Sequence, residues 1–279
     1  MKSPDFEYQR PGNLDELLAF LADHSCDSQL IAGGQSLVPM MNYRVTQPDR
    51  IIDLSDVEDL RGVAFADGMV SIGAMTRYVE LQTPEIEAAL PLLPRVLPYI
   101  AHDAIRNRGT VGGSLGLSDP AAELPAMVLA LGGRIDLACQ AGRRTVSADD
   151  FFHGVYETEC AENEVITAVH LPCAVSGDQF GFHELARRHG DYAMAGVMIA
   201  APSAGPVRVA FFGVADKAFR LPDLEQALQD HLAIEDVAVL DRAVSCLAEV
   251  EMVSDTHASE PMRRHLAGIV LRRAVGVLE

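Results

Sequence analysis

Two short stretches of this chain could hold an anion without any lysine. They are Ala32-Gly33-Gly34-Gln35-Ser36 and Thr110-Val111-Gly112-Gly113-Ser114, each a glycine pair beside hydroxyl or amide side chains. Glycine lets the backbone approach a ligand closely and take positive φ, so that successive N–H groups converge on one anion. Ser, Thr and Gln add side-chain donors. One glycine pair alone is more often an ordinary turn. Two such loops with matching neighbours point to a site for a pyrophosphate.

Other chemistry finds less support. No two glycines stand two residues apart, so the dinucleotide fingerprint G-x-G-x-x-G is absent, and no G-x-x-x-x-G-K occurs. His183-Glu184-Leu185-Ala186-Arg187 begins like a zinc-protease motif but has Arg where the second ligand belongs. Gly112-Gly113-Ser114-Leu115-Gly116 fits the G-x-S-x-G nucleophile elbow, which would make Ser114 the nucleophile of an α/β-hydrolase. Its context is poor. The elbow needs an apolar strand before the serine and a helix directly after it, whereas Ala104-Ile105-Arg106-Asn107-Arg108-Gly109 is charged and polar. It also leaves the first loop unexplained.

Composition narrows the classes further. The 279 residues carry 22 Lys+Arg against 40 Asp+Glu, a formal charge of −18. Such a chain does not hold nucleic acid by phosphate neutralisation, and an anionic membrane repels it. At 49% hydrophobic it is no disordered acidic tail. Lys2 and Lys217 are the only lysines. The start lacks the apolar run of a signal peptide, and no run reaches the length of a membrane span. The five scattered cysteines, Cys26, Cys139, Cys160, Cys173 and Cys246, form no C-x-x-C pair. They are expected as reduced thiols of a cytoplasmic protein, ligating neither metal nor cluster.

The elements that must position the loops can be read in outline. Asn13-Leu14-Asp15-Glu16 resembles a capping box, and leucines at helical spacing predict a helix over 13–24. Gln29 to Ala32 reads as a strand entering the first loop, and 50–54 as another. Asp67-Gly68 predicts a hairpin over 62–74, and Ala141-Gly142 a second over 134–147. Residues 84–107 have helical character interrupted by Pro91, Pro94 and Pro98. The stretch 109–116 reads as a glycine-rich loop. Asp119-Pro120 opens a helix expected to reach Leu131 and stop at Gly132-Gly133. After Val165–Leu171, a strand, residues 174–179 are the best linker. Strands are expected near 180–188, 193–201 and 207–214. The last 60 residues read as helical, closing with Met262, Leu266, Ile269, Val270 and Val277 on one apolar face.

In order, Ala32-Gly33-Gly34-Gln35-Ser36-Leu37-Val38-Pro39-Met40-Met41, Ile72-Gly73-Ala74-Met75-Thr76, Thr110-Val111-Gly112-Gly113-Ser114 and Asp119-Pro120-Ala121-Ala122-Glu123-Leu124-Pro125 resemble the FAD-binding medium subunits of molybdenum hydroxylases. This family includes the carbon monoxide dehydrogenase medium subunit and the flavin domain of xanthine dehydrogenase. Asp150-Phe151-Phe152, Ala186 to Ala193 and Arg263 to Ala267 continue the likeness along essentially the whole chain.

The resemblance implies an α+β fold. An FAD-binding domain of the p-cresol methylhydroxylase type would cover 1–174 in two subdomains, and a smaller C-terminal domain of sheet and helices 179–279. It implies FAD held by Ala32, Gly33, Gly34, Gln35, Ser36 and Leu37 on one side of the pyrophosphate and by Thr110, Gly113 and Ser114 on the other. Glu123 would reach a ribose or ribityl hydroxyl and Ile166 would lie beside the flavin. Asp191 and Tyr192 would bring the second domain to the ring. His183 falls where some relatives carry lysine, which leaves an electrostatic role there open. No residue need act as a catalytic base.

Implied partners are a large molybdenum-pterin subunit and a small subunit with two [2Fe–2S] clusters, assembled as a dimer of heterotrimers. The chain would take electrons from those clusters and pass them to an external acceptor. A stand-alone flavin oxidase is the alternative, because similar folds oxidise substrates directly.

Overall fold

The computed structural model describes residues 2–229 and 237–278. The chain starts with β1 (Glu7–Gln9), α1 (Leu14–Leu21), β2 (Ser28–Ile31), α2 (Leu37–Asn42) and β3 (Arg50–Asp53), whose strands pair in parallel in the order β1-β3-β2. Asn13 caps α1 by accepting the Glu16 amide at 2.9 Å, and Leu14, Leu17 and Leu21 form its buried face. The helix therefore ends at Leu21, short of the expected residue 24. The first glycine pair follows the end of β2, where the chain leaves the sheet and turns into α2.

The second unit begins with β4 (Val63–Ala66) and β5 (Met69–Gly73). Asp67 and Gly68 join them at φ 51° and 72°, the two left-handed positions of a type I′ turn. Three short helices follow, α3 (Pro84–Ala89), α4 (Leu93–Val96) and α5 (Asp103–Arg106). Pro84 and Pro94 sit in first turns, where a missing N–H costs nothing, so these prolines start helices as well as separating them. Next come α6 (Val111–Leu117), α7 (Glu123–Ala130), β6 (Arg134–Cys139), β7 (Gly142–Ser147), α8 (Ala148–Phe151), β8 (Phe152–Gly154), β9 (Glu157–Thr158) and β10 (Val165–Pro172). The resulting sheet is antiparallel, in the order β4-β5-β10-β6-β7.

The third unit is an antiparallel sheet of β11 (Gln179–Ala186), β12 (Ala193–Ala201), β13 (Arg208–Phe212) and β14 (Phe219–Arg220) in sequential order. Its helices are α9 (Pro222–Gln229), α10 (Val237–Ser245) and α11 (Glu260–Val275). The helical expectation for 230–236 lies outside the described residues. Alternation along the strands gives this sheet two apolar faces. Ala195, Val197, Ile199, Val209 and Phe211 pack with α9–α11, whereas Phe180, Phe182, Met198, Ala210 and Phe212 join the core of the second unit.

α7 is the helix between the two sheets, and every residue in it is buried. A helix apolar all round belongs in a core. Its last turn is held from the third unit, because Arg208 donates to the Leu129 carbonyl at 3.0 Å and also bridges Asp149. Gly132, at φ 65°, ends it in the left-handed conformation that the glycine pair predicts.

The expected apolar face of α11 is only partly right. Met262 and Val277 are about half exposed, while Arg263 is buried and donates to the carbonyls of Met194 and Gly213 and to Asp255.

Candidate cofactor site

The two glycine pairs meet in space. A methyl group on Gly33 would stand 2.2 Å from the Arg108 carbonyl oxygen and 2.9 Å from Gly109 Cα. One on Gly113 would stand 3.5 Å from Ala32 Cβ. Gly33 is therefore glycine because two chain segments touch there.

The first loop presents its backbone outward. The amides of Gly33, Gly34, Gln35 and Ser36 donate to no partner among the described residues. Gly34 takes φ 71°, the left-handed turn that lets adjacent N–H groups converge. Gln35 is folded back, its Nε2 donating to the Gly33 carbonyl at 2.9 Å. Ser36 precedes α2 without a side-chain cap, so its hydroxyl is uncommitted, and Leu37 begins the helix.

The second stretch departs from expectation, because 111–117 is a helix and its first amides are already bonded. Val111 donates to the Thr76 carbonyl at 3.0 Å and Gly112 to that of Ala74 at 2.7 Å. Gly113 donates to Thr110 Oγ1 at 3.1 Å and Ser114 to the Thr110 carbonyl at 3.1 Å. Thr110 is the N-cap, and Gly112 lets α6 pack on the turn after β5, since a Cβ there would lie 2.5 Å from that of Ala74. Unclaimed amides therefore come from the first loop, and α6 supplies a face with Gly113 and Gly116 exposed. Tyr78, which no sequence signal marked, is buried against Gly109.

Acidic groups gather where α6 passes into α7. The expected helix start at Asp119-Pro120 is instead a turn, with Asp119 accepting the Ala121 amide at 2.9 Å. Glu123 is the first residue of α7 and 8% exposed. Burial pushes its carboxyl up to about 7, its own backbone amide pulls the other way, and the nearby Asp119 adds to the rise. Asp119 is itself raised by burial.

Ile166 is buried in the β10 core, its Cδ1 placed 3.4 Å from where a Gly116 side chain would begin. Asp191 and Tyr192 lie at the β11–β12 turn, and the Asp191 amide donates to the Arg188 carbonyl at 3.1 Å. Tyr192 is 71% exposed, so it is not a core side chain. Burial of its hydroxyl and the nearness of Asp119, Tyr156 and Glu123 raise its pKa. Tyr156, a second exposed tyrosine missed in the sequence, holds a left-handed φ of 58°.

His183 is not at this site. Its ring faces α11, where Nε2 lies 3.1 Å from Arg273 Nη1. Burial and Arg273 both lower its pKa. The side chain that β11 turns toward the second unit is the next one, Glu184.

The residues fit a flavin nucleotide. Free convergent amides suit a diphosphate, and a buried carboxyl suits a sugar hydroxyl, which can donate to it or accept from it. Comparison with known proteins identifies the same cofactor. Residues 4–174 match the family described as the FAD binding domain in molybdopterin dehydrogenase, and 180–278 match the CO dehydrogenase flavoprotein C-terminal domain.

The chain belongs to this family of FAD-binding medium subunits.

It is 36% identical to the nicotine 6-hydroxylase medium subunit of Paenarthrobacter nicotinovorans, over 99% of this chain and 98% of that one. The solved carbon monoxide dehydrogenase from Hydrogenophaga pseudoflava superposes with a TM-score of 0.94 at 35% identity, covering 99% of this chain and 98% of that one. Quinoline 2-oxidoreductase from Pseudomonas putida 86 does so with a TM-score of 0.91 at 35% identity, over 99% and 97%. The two-domain flavoprotein of mixed helices and sheets thus stands as an oxidoreductase subunit. Among the described residues no helix is long and apolar enough to cross a membrane.

Proposed function

We propose that this chain is the electron-relay subunit of a molybdenum hydroxylase, receiving electrons from [2Fe–2S] clusters on a small subunit and delivering them to an external acceptor. A large molybdenum-pterin subunit would carry out the substrate chemistry, and the assembly would be a dimer of heterotrimers. The observation that carries this reading is the diversity of the relatives. Their names specify nicotine, carbon monoxide and quinoline, yet the shared architecture extends over 99% of this chain. A subunit common to such unlike substrates serves the step those enzymes share.

Bound FAD supplies the redox chemistry, accepting and releasing electrons. The chain's residues bind and orient it. The free amides of Gly33, Gly34, Gln35 and Ser36 take the pyrophosphate, with Ala32 and Leu37 flanking them. Thr110, Gly113 and Ser114 form the opposite wall through the surface of α6 rather than through free amides. Glu123 meets a sugar hydroxyl, and Ile166 lends an apolar wall. Tyr192, with Asp191 beside it, excludes water from the ring.

The test is anaerobic. The FAD-loaded chain alone should keep its visible flavin absorbance when a substrate of the complex is added, and should bleach once the molybdenum and iron–sulfur subunits are restored. Rapid bleaching of the isolated chain by that substrate would favour a stand-alone oxidase instead.

A further inference from the structure

One buried acid has no part in the site as described. Glu184 is 6% exposed, and neither carboxylate oxygen has a hydrogen-bond partner. It is the only acidic side chain in that state among the described residues. The arginines whose buried Nε makes no hydrogen bond, at positions 50, 61 and 263, each bond through another nitrogen. A buried carboxyl with nothing to bond weakens the fold, because its hydration is lost without replacement.

The strand shows where Glu184 is aimed. Phe180, Phe182 and Glu184 share the face of β11 that packs on the second unit, while His183 and Leu185 face the helices. Across the ladder Glu184 pairs with Gly196, which has no side chain and whose place is filled by the Phe212 ring. The carboxyl thus lies on an apolar floor and is close enough to Glu123 to feel its charge. Burial, then Glu123, pushes Glu184 up to about 8. Glu123 comes from the flavin domain and Glu184 from the C-terminal sheet, so two carboxyls converge from opposite sides of the domain junction. Near neutrality Glu123, at about 7, is about half protonated and Glu184, at about 8, is mostly protonated, so the pair then offers both O–H donors and carbonyl acceptors. A run of sugar hydroxyls, each donor and acceptor, is the ligand chemistry that satisfies such a pair.

We propose that Glu184 is a further cofactor-binding residue of the C-terminal domain, beside Asp191 and Tyr192, pairing with Glu123 to hydrogen-bond hydroxyls of FAD. This rests on the flavin reading above.

The test titrates FAD into the FAD-free wild type, E184Q and E184L by quenching of flavin fluorescence, with thermal unfolding of each FAD-free protein. E184L should bind FAD at least tenfold more weakly and yet unfold at a higher temperature than wild type, since the unpaired carboxyl is gone. E184Q keeps a donor and an acceptor and should stay within about threefold of wild type. E184M carries the same expectation as E184L if the latter does not fold. A weakening that FMN shares assigns the contact to the ribityl chain, and one that ADP shares assigns it to the adenosine ribose; either supports the proposal. Wild-type affinity in E184L, or a tenfold loss in E184Q, overturns it. Failure of the wild type itself to bind FAD would instead overturn the flavin reading, and the same titration shows which has failed.

Discussion

Gly33→Ala adds one methyl group at the point where the two glycine segments touch. That methyl would lie 2.2 Å from the Arg108 carbonyl oxygen and 2.8 Å from its carbon, both backbone atoms that cannot rotate away. Ordinary contact needs about 3.5 Å, so the segments must part by roughly 1 Å. Overpacking of this kind costs about 1–3 kcal/mol of stability. Its effect on FAD is larger, because moving the free amides of 33–36 by that distance takes them out of hydrogen-bond range. Losing one or two bonds to a charged diphosphate, at about 1.5–3 kcal/mol each, weakens binding by about 10- to 10⁴-fold. Gly34→Ala is the control. Its new Cβ would meet only Ile31 Cδ1 and Val38 Cγ2, each at 3.4 Å, so it pays chiefly for its φ of 71°, about 1–2 kcal/mol. Fluorescence titration with FAD, beside far-UV circular dichroism to confirm the fold, should place G33A below G34A in affinity and both below wild type. A folded G33A that binds FAD like wild type would refute the placement of the pyrophosphate beside this contact.

Two further outcomes follow from charges. Glu123 and Glu184, raised to about 7 and about 8 from an ordinary 4.5, hold protons in the folded state that the unfolded chain gives up, so their contribution to stability is full below pH 4.5 and is lost as pH rises to about 8. Unfolding free energies of the FAD-free protein from urea titration should fall across that window by on the order of 1 kcal/mol per pH unit, with a shallower fall in E184Q; equal slopes would contradict the raised acidities. Asp149 of α8 bridges Arg208 and Arg220 of the C-terminal sheet at 2.9 and 3.0 Å, so D149N should lower the unfolding midpoint by about 2 °C, for a loss of about 1 kcal/mol. Because the carboxylate is partly exposed, the difference should shrink in high salt, and a salt-independent difference would assign it to packing.

What could be read from the residues was what neighbouring residues decide. Asp67-Gly68 makes a turn because both residues accept a left-handed φ, and Asn13 starts a helix because its own side chain reaches the Glu16 amide. The glycine pair at 112–113 shows the limit. Its composition reads as a loop, but Thr110 caps it into a helix and Ala74, nearly 40 residues away, explains why a side chain is excluded at Gly112. The same glycine signature therefore leaves free amides at 33–36 and allows close helix packing at 112, and only the hydrogen bonds tell them apart.

Charged residues mark a deeper limit. Hydrophobic patterning assigns Arg263 and Glu184 to the surface, yet both are buried. Arg263 is tolerated because the carbonyls of Met194 and Gly213 and the Asp255 carboxylate satisfy it, a tertiary arrangement that binds α11 to the sheet. Glu184 has no such compensation in the protein itself. The parity of β11 turns it toward the second unit and turns His183, which falls where some relatives carry lysine, toward Arg273. One step along a strand reverses the face, so a likeness at the level of a segment leaves parity to decide which side chain points inward. Burial and hydrogen-bond satisfaction distinguish the two: Glu184 is the one whose bonding capacity is unmet, and the proposed contact with FAD hydroxyls would meet it.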